Sequence, residues 1–311
     1  MNRAIDLVYL WVDGNDPKWL ARKNAFLGIE NSVDEATCAG RYENNDELKY
    51  SLRSIEKNIP WVRKIFIVTD EQIPEWLNTQ NPKIQLIDHT QILPAEALPC
   101  YNASVIECFL WRIPDLSEHF LFANDDTFVY KPLAPDFFFD NDGFPIVRLT
   151  KKSFQELRYW VKKRISKKSG IYRSMLYHSA QRIKLVTGKY YPGIPHHNID
   201  SYCKSDYKKV IELFEDAVVA SQQHRIRNRD DFHRSTISYY ILSVGRGHLK
   251  YVGRNESYRI RAHKTDFMKY ICRYQPKLFC LNDSQRVTEK DRKRISPFLE
   301  SLFPVASAFE K

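Results

Sequence analysis

Glycine is scarce in this chain, at 10 of 311 residues, and methionine scarcer, at 3. No low-complexity tract or repeat at solenoid spacing appears, which excludes disordered and repeat architectures. No window approaches the ~18 apolar residues of a membrane-spanning helix. The opening run "AIDLVYLWVDG" lacks the basic start, long apolar segment and small-residue cleavage site of a signal peptide. Six cysteines (Cys38, Cys100, Cys108, Cys203, Cys272, Cys280) show no CxxC spacing, so neither zinc nor a disulfide framework is indicated. Reduced core residues of a cytoplasmic protein are expected instead. Zinc-finger, RNP-type and KH motifs are missing too, so nucleic acid has no support as a partner.

Aromatic and basic residues, by contrast, are plentiful. The chain holds 18 Tyr, 18 Phe and 6 Trp, and 48 Lys and Arg against 38 Asp and Glu, for a net charge of +10. Its length suffices for one large or two modest domains with a real core. The basic excess favours an anionic partner such as a nucleotide, a phosphorylated sugar, an acidic polymer or inner-leaflet lipid. It concentrates in "KKRISKK" (162–168) and "HRIRNR" (224–229). Across 151–173, Lys and Arg interleave with Phe154, Tyr159, Trp160, Ile165 and Ile171. Such a segment either packs on the core with a solvated basic face or lies on lipid or polymer.

Residues 5–11 read as a strand stopped by Asp13-Gly14, and Asp16-Pro17 as the cap and first residue of a helix reaching about Phe26. Leu48, Leu52 and Ile55 fall at helical spacing within 46–57, leaving a polar face toward Glu47, Arg53 and Ser54. "KIFIVTD" (64–70), "KIQLID" (83–88) and "HFLFANDD" (119–126) are further strands. Strand alternating with helix predicts an α/β layered sheet, whose ligands gather at the carboxyl ends of the strands. Asp13, Asp70 and Asp125–Asp126 all lie at such ends. Beyond residue 150 the pattern turns helical, with basic amphipathic stretches over 153–187 and helices near 205–219, 231–244 and 287–303. "YYPGIPHHNID" (190–200) interrupts it, and "KLFCLND" (277–283) repeats the form of an apolar strand ending in Asn-Asp.

Two adjacent carboxylates at one strand end repel unless a cation or a donor neutralises them. Asn124-Asp125-Asp126 is therefore either a polar turn or a clamp of hard oxygen ligands, suited to Mg²⁺ or Mn²⁺ bridging a diphosphate. Asn282-Asp283 offers a second such pair. His196 and His197 sit in an irregular loop, either as hydrogen-bonded structural residues or as a proton acceptor for an attacking hydroxyl. Arg227, in "HRIRNRDD", either grips phosphate in bidentate fashion or decorates the surface.

The joint pattern resembles the Stealth family. "IDLVYLWVDGNDP" (5–17) is similar to its first signature block. "RYENNDELKYSLRSIEKNIPWVRKIFIVTDEQIPEWLN" (41–78), continuing through "NASVIECFLWRIPDLSEHFLFANDD" (102–126), is similar to its long second block. "IPHHNID" with "HRIRNRDDFHRSTISYYIL" resembles the third more weakly, and "KLFCLND" matches the fourth. The resemblance implies a sugar-1-phosphate transferase of capsular or exopolysaccharide synthesis, of the compact bacterial type. Related members include the animal N-acetylglucosamine-1-phosphotransferase. It also implies a GT-A-like nucleotide-sugar fold in one catalytic domain over 1–311. That domain would comprise an α/β nucleotide-sugar half (1–150), a helical insertion (151–250) and a return to the core (251–311).

Residue by residue, the resemblance implies a metal site at Asp125, Asp126, Asn282 and Asp283, holding Mg²⁺ or Mn²⁺. The family's catalytic histidine matches His197 through "HNID"; its usual proline between spaced histidines is absent, so His196 stands as the alternative. Its arginine four residues before an aspartate matches Arg227 with Asp231, while the family's usual Met-Gln-Phe run is replaced by "FHRSTIS". Trp11, Asp13, Gly14, Arg41, Asp46 and Arg53 would shape the nucleotide pocket, although Asp46 is equally a helix cap and Trp11 a core residue. The expected partners are a UDP- or other nucleotide-sugar donor and a polysaccharide or glycan acceptor. A lipid-linked acceptor would bring peripheral contact with the inner face of an anionic membrane. Two other functions fit parts of the pattern: a metal-dependent glycosyltransferase releasing nucleoside diphosphate, and an inactive binder of acidic polymer.

Overall fold

The computed structural model describes residues 3–28, 42–152, 154, 157–161, 170–191, 193–284 and 286–311. In the first half, strands and helices alternate as expected. These are β1 (Ile5–Leu10), α1 (Pro17–Leu27), α2 (Glu47–Asn58), β2 (Ile65–Thr69), β3 (Ile84–Asp88), α3 (His89–Ile92), α4 (Ala103–Glu107), β4 (His119–Asn124), β5 (Thr127–Val129) and β6 (Ile146–Lys151). The second half adds α5 (Ile171–Thr187), β7 (Gly193–Pro195), β8 (Asp200–Cys203), α6 (Lys204–Leu213), α7 (Glu215–Gln222) and α8 (Ser235–Ser243). It closes with β9 (His248–Tyr251), β10 (Ser257–Arg261), α9 (Phe267–Tyr274), β11 (Leu278–Asn282), α10 (Glu289–Arg292) and α11 (Ile295–Leu302).

The main sheet runs β3-β2-β1-β4-β8, with the first four strands parallel and β8 antiparallel at the edge. Both faces of a parallel sheet must be covered, and the side chains alternate accordingly. Val8, Phe66, Val68, Phe120 and Phe122 pack toward α4, α6 and α8. Leu7, Tyr9, Ile65, Ile67 and Leu121 pack toward Leu48, Leu52 and Ile55 of α2. A second sheet, β10-β11-β5, follows directly from the Asp125–Asp126 turn, and a third is ordered β7-β6-β9. The Asp16 carboxylate caps α1 by accepting from the Lys18 and Trp19 amides, as its sequence position predicts.

Residues 151–250, expected as a helical insertion, hold α5 to α8 among the described residues but also supply strands. β8 belongs to the main sheet and pairs with β4, and β7 and β9 flank β6. Period-based reasoning misses them because each is only three or four residues long. The expected helices at 205–219 and 287–303 are each broken in two, at Phe214 and near Lys293. The lysines of "KKRISKK" lie outside the described residues, as do Arg41 and Cys38. Among the described residues the cysteines are free, with Cys100, Cys108, Cys203 and Cys280 buried and Cys272 exposed.

The polar face expected on α2 is covered rather than solvated. Ser54 Oγ donates to the Ser51 carbonyl at 2.6 Å and accepts from the Val129 amide at 3.1 Å. Arg53, expected at the nucleotide pocket, turns instead to the C-terminal segment. Its guanidinium donates to Glu310 at 2.9 and 2.8 Å, to Glu300 at 2.9 Å and to the Phe303 carbonyl at 2.8 Å. Amphipathic spacing identifies the apolar stripe but cannot reveal that a distant segment covers the other side. Arg53 and Glu310 are both nearly fully buried, at 7% and 8% side-chain exposure, and removing one partner of such a pair typically costs about 3 kcal/mol or more. Arg53→Ala is therefore expected to lower the melting temperature sharply while leaving donor affinity unchanged; differential scanning fluorimetry and a donor titration on the same sample check both.

Candidate functional site

A cleft of about 530 Å³ opens at the carboxyl edge of the main sheet. The parallel register puts the ends of β1, β2, β3 and β4 side by side, with Leu10 opposite both Val68 and Asn124. Trp11, Asp70, His89 and Asn124 to Asp126 thus reach one edge from separate strands. Because β8 runs the opposite way, its beginning meets the end of β4, with Asp200 paired to Phe122. The loop before β8 delivers His197 to the same edge. β11 runs antiparallel to β5, and the Leu281 amide donates to the Asp126 carbonyl at 2.9 Å. That pairing sets Asn282 and Asp283 beside the Asp125–Asp126 turn.

The acidic wall is held under strain. Asp125 accepts from the Asp126 amide at 3.0 Å, and Asp126 Oδ2 accepts from the Cys280 thiol at 3.1 Å. Asp126 Oδ1 is buried without a hydrogen-bond partner. Burial, followed by the charges of Asp126 and Glu47, pushes the Asp125 carboxyl well above the usual range. Burial likewise raises Asp126 to about 6, with Asp283 adding to the rise. Glu47, at the start of α2, is raised to about 7 by burial, with Asp126 contributing. Its carboxylate accepts from the Asn45 amide and side chain at 2.6 and 2.8 Å. Asp283 pairs with Arg292 at 2.9 Å.

Clustered carboxylates, an amide oxygen donor and an orphaned buried oxygen suit a hard divalent cation, so the residues present fit Mg²⁺ or Mn²⁺. A softer set is also close: ligand atoms of Asp126, His197 and Cys280 lie within 4.8 Å of one another. The Cys280 thiol, however, is raised well above its ordinary value by burial and donates its proton to Asp126, so it is not the thiolate a soft metal needs.

His197 lines the cleft and His196 does not. His196 is buried, with Nδ1 2.8 Å from Ser257 Oγ and Nε2 3.2 Å from Asp200. His197 has φ 61°, a left-handed conformation that costs a non-glycine residue about 1 kcal/mol and that only its surroundings enforce. Burial, together with the charges of Arg259 and Arg234, lowers its pKa to about 3, so the ring is neutral. Tyr172 sits edge-on to both His197 and His233, with ring centroids 6.1 and 5.5 Å away.

The basic wall carries Arg227, Arg234, Arg259 and Arg286. Arg234 is engaged by Asp200, Glu107 and the Tyr202 hydroxyl. Among the described residues, Arg227, Arg259 and Arg286 have no hydrogen bond or ion pair to their guanidinium groups, which therefore remain available to an anion. Asp231 shapes the loop that presents Arg227. Its carboxylate accepts from Asn102 Nδ2 at 2.8 Å and the Asn228 amide at 2.7 Å, and faces His224 Nδ1 at 2.7 Å. Asn102 also donates to the His224 and Ile226 carbonyls at 3.1 and 3.2 Å.

Of the residues expected at the nucleotide pocket, Trp11 lines the cleft. Asp13 and Gly14 stand just behind its wall. A Cβ on Gly14 would meet the Tyr42 Cβ at 2.6 Å, so glycine lets Tyr42 reach the cleft. Asp46 is exposed, makes no side-chain cap to α2 and does not line the cleft, because its left-handed backbone (φ 64°) turns it outward. Sequence reasoning did not assign Glu47, Tyr172, His233, Arg234, Arg259 or Arg286 to the site, although Glu47, His233 and Arg234 lie within the stretches that carry the family resemblance.

Family models described as Stealth protein CR1 (conserved region 1), CR2 (conserved region 2) and CR4 (conserved region 4) match residues 3–30, 41–147 and 259–311. A capsular polysaccharide phosphotransferase of Neisseria meningitidis serogroup B is 33% identical, over 91% of this chain and 78% of its own length. The exopolysaccharide phosphotransferase cps2G of Lactiplantibacillus plantarum is 32% identical, over 99% of this chain and 96% of its own. A crystal structure of the galactosyltransferase LgtC aligns over 97% of this chain and 98% of its own, with 13% identity and a TM-score of 0.46.

The raised carboxyls make stability depend on pH and metal together. Folded Asp126 keeps its proton to about 6, against 3.8 ordinarily, so the folded chain binds more protons within that window. Metal-free protein is expected to lose stability as pH rises through it, with Glu47 extending the loss toward about 7. Melting temperatures in EDTA should therefore fall by several degrees between pH 4.5 and pH 7, and added Mg²⁺ or Mn²⁺ should raise them more at pH 7 than at pH 5. A metal-independent melting curve in this range would remove the cation from the site.

Proposed function

The chain belongs to the Stealth family, and from that premise we propose that it transfers a sugar-1-phosphate from a nucleotide-sugar donor to a hydroxyl of a polysaccharide acceptor, releasing nucleoside monophosphate. The relatives' names place them in phosphate transfer for capsule and exopolysaccharide synthesis. The observation that carries the reading is the convergence, in one cleft, of a strained carboxylate wall, an unpaired Arg227 and a neutral His197.

Asp126 and Asp283, with Asp125 and Asn282, would hold Mg²⁺ or Mn²⁺, which supplies charge neutralisation to the donor diphosphate. The acceptor oxygen bonds to the sugar-bearing phosphorus, and the bridging P–O bond to the nucleoside monophosphate breaks. His197 takes the proton of that hydroxyl. Arg234 and Arg259 suppress its basicity; the negative charge that a bound diphosphate brings into the cleft raises it again. Arg227 stabilises charge on the transferred phosphoryl group, a role worth on the order of 10²–10³ in rate in comparable sites. Trp11 and Tyr42 close the donor end of the cleft. No helix among the described residues is long and apolar enough to cross a membrane. The exposed Phe154 and Leu157 beside Lys151, Lys152 and Arg158 support peripheral contact with an anionic surface carrying a lipid-linked acceptor.

The decisive experiment incubates the protein with a panel of nucleotide sugars, Mg²⁺ and capsule fragments, then identifies the released nucleotide. Nucleoside monophosphate is expected, and nucleoside diphosphate would mean glycosyl transfer. Asp126→Asn should abolish release with the melting temperature kept or raised. His197→Ala should cost roughly 10²-fold or more. His196→Ala should act mainly on stability, because its contacts are to Ser257 and Asp200. Surface contact is checked by co-sedimentation with anionic vesicles: binding at low salt that vanishes at high salt is expected.

A further inference from the structure

Arg259 has no part in the chemistry above beyond its effect on His197. It stands within β10, directly across the parallel ladder from Cys280. The Cys280 thiol contacts Asp126 at 3.1 Å, and Asp126, His197 and Cys280 crowd within 4.8 Å. The Arg259 side chain lines the cleft and has neither hydrogen bond nor ion pair among the described residues. Arg234 holds the buried carboxylates Asp200 and Glu107, and Arg292 holds Asp283. Arg259 also acts on both sides of the reacting region, favouring ionised Asp126 and opposing protonated His197.

We propose that Arg259 is a further phosphate-binding residue, which anchors a diphosphate oxygen between the carboxylate pair and His197. The proposal rests on the cleft being a diphosphate site. Arg259 is exposed to the cleft, so its unpaired guanidinium is open to an incoming anion, and its planar fork suits two phosphate oxygens at once. Arg227 reaches the cleft from the loop ordered by Asp231, whereas Arg259 projects from a strand. The strand fixes the phosphate relative to Asp126 and His197, which sit on neighbouring backbone.

Inorganic pyrophosphate is the probe, titrated calorimetrically into the full chain with Mg²⁺ and again in EDTA. Arg259→Gln is expected to weaken binding about tenfold or more in both conditions, at an unchanged melting temperature, with Arg259→Lys recovering part of the loss. Arg254→Gln is the control for net charge, since Arg254 bonds Tyr274 away from the cleft and should keep wild-type affinity. Unchanged affinity in Arg259→Gln, or an equal loss in Arg254→Gln, overturns the inference, as does wild-type protein that binds no pyrophosphate. If Arg259→Gln does not fold, Arg259→Lys decides: weaker binding supports the role and wild-type binding refutes it. A wild-type enzyme that releases nucleoside diphosphate, yet loses pyrophosphate affinity in Arg259→Gln, refutes phosphoryl transfer and leaves the Arg259 assignment standing.

Discussion

Repulsion among carboxylates confined at one strand end is the constraint on which the site depends. Asp125, Asp126 and Glu47 share a buried corner in which each raises the cost of ionising another. Arg259 relieves it only in part, and the other nearby arginines are engaged, Arg234 by Asp200 and Glu107 and Arg292 by Asp283. The Cys280 thiol donates to one Asp126 oxygen, and the other has no partner among the described residues. A fold that maintains such an arrangement must hold the strand end rigidly, or the side chains would swing into water. β4 is rigid here because it lies between β1 and β8 and passes directly into β5, which is itself pinned by β11.

Charge in the cleft is divided between two walls, and topology is the reason. The carboxylates come from the carboxyl ends of β4 and β11 and the start of α2. The guanidiniums without partners among the described residues come from β10, from the loop stapled by Asn102 and Asp231, and, for Arg286, from the segment after β11. A ligand carrying both a metal-bound diphosphate and a neutral reacting hydroxyl meets each wall with the complementary charge. α2 serves both the site and the scaffold: its first residue faces the cleft, while Arg53, two turns later, clamps the C-terminal segment. Loosening that clamp would reach the site only by way of α2 itself.

Local pattern was enough for the elements that obey a period and the residues that break one. The strand starts, the Asp16-Pro17 helix entry, and the acidic ends at Asp70, Asp125–Asp126 and Asn282–Asp283 are all short-range facts of the chain. So is the irregular loop bearing His196 and His197. Long-range pairing decided the rest. Which histidine faces the cleft depends on β8 joining β4 in reverse, a contact between residues roughly eighty apart in sequence. Arg53 turns away from the cleft because α2 is gripped by a segment some 250 residues distant. Glu47 and Arg259 carry no local signature, since an acid in a first helical turn and an arginine in a short strand are ordinary. Glu47 acquires its role through burial and Arg259 through its place beside Cys280 at the cleft, and both exist only once distant parts of the chain have packed.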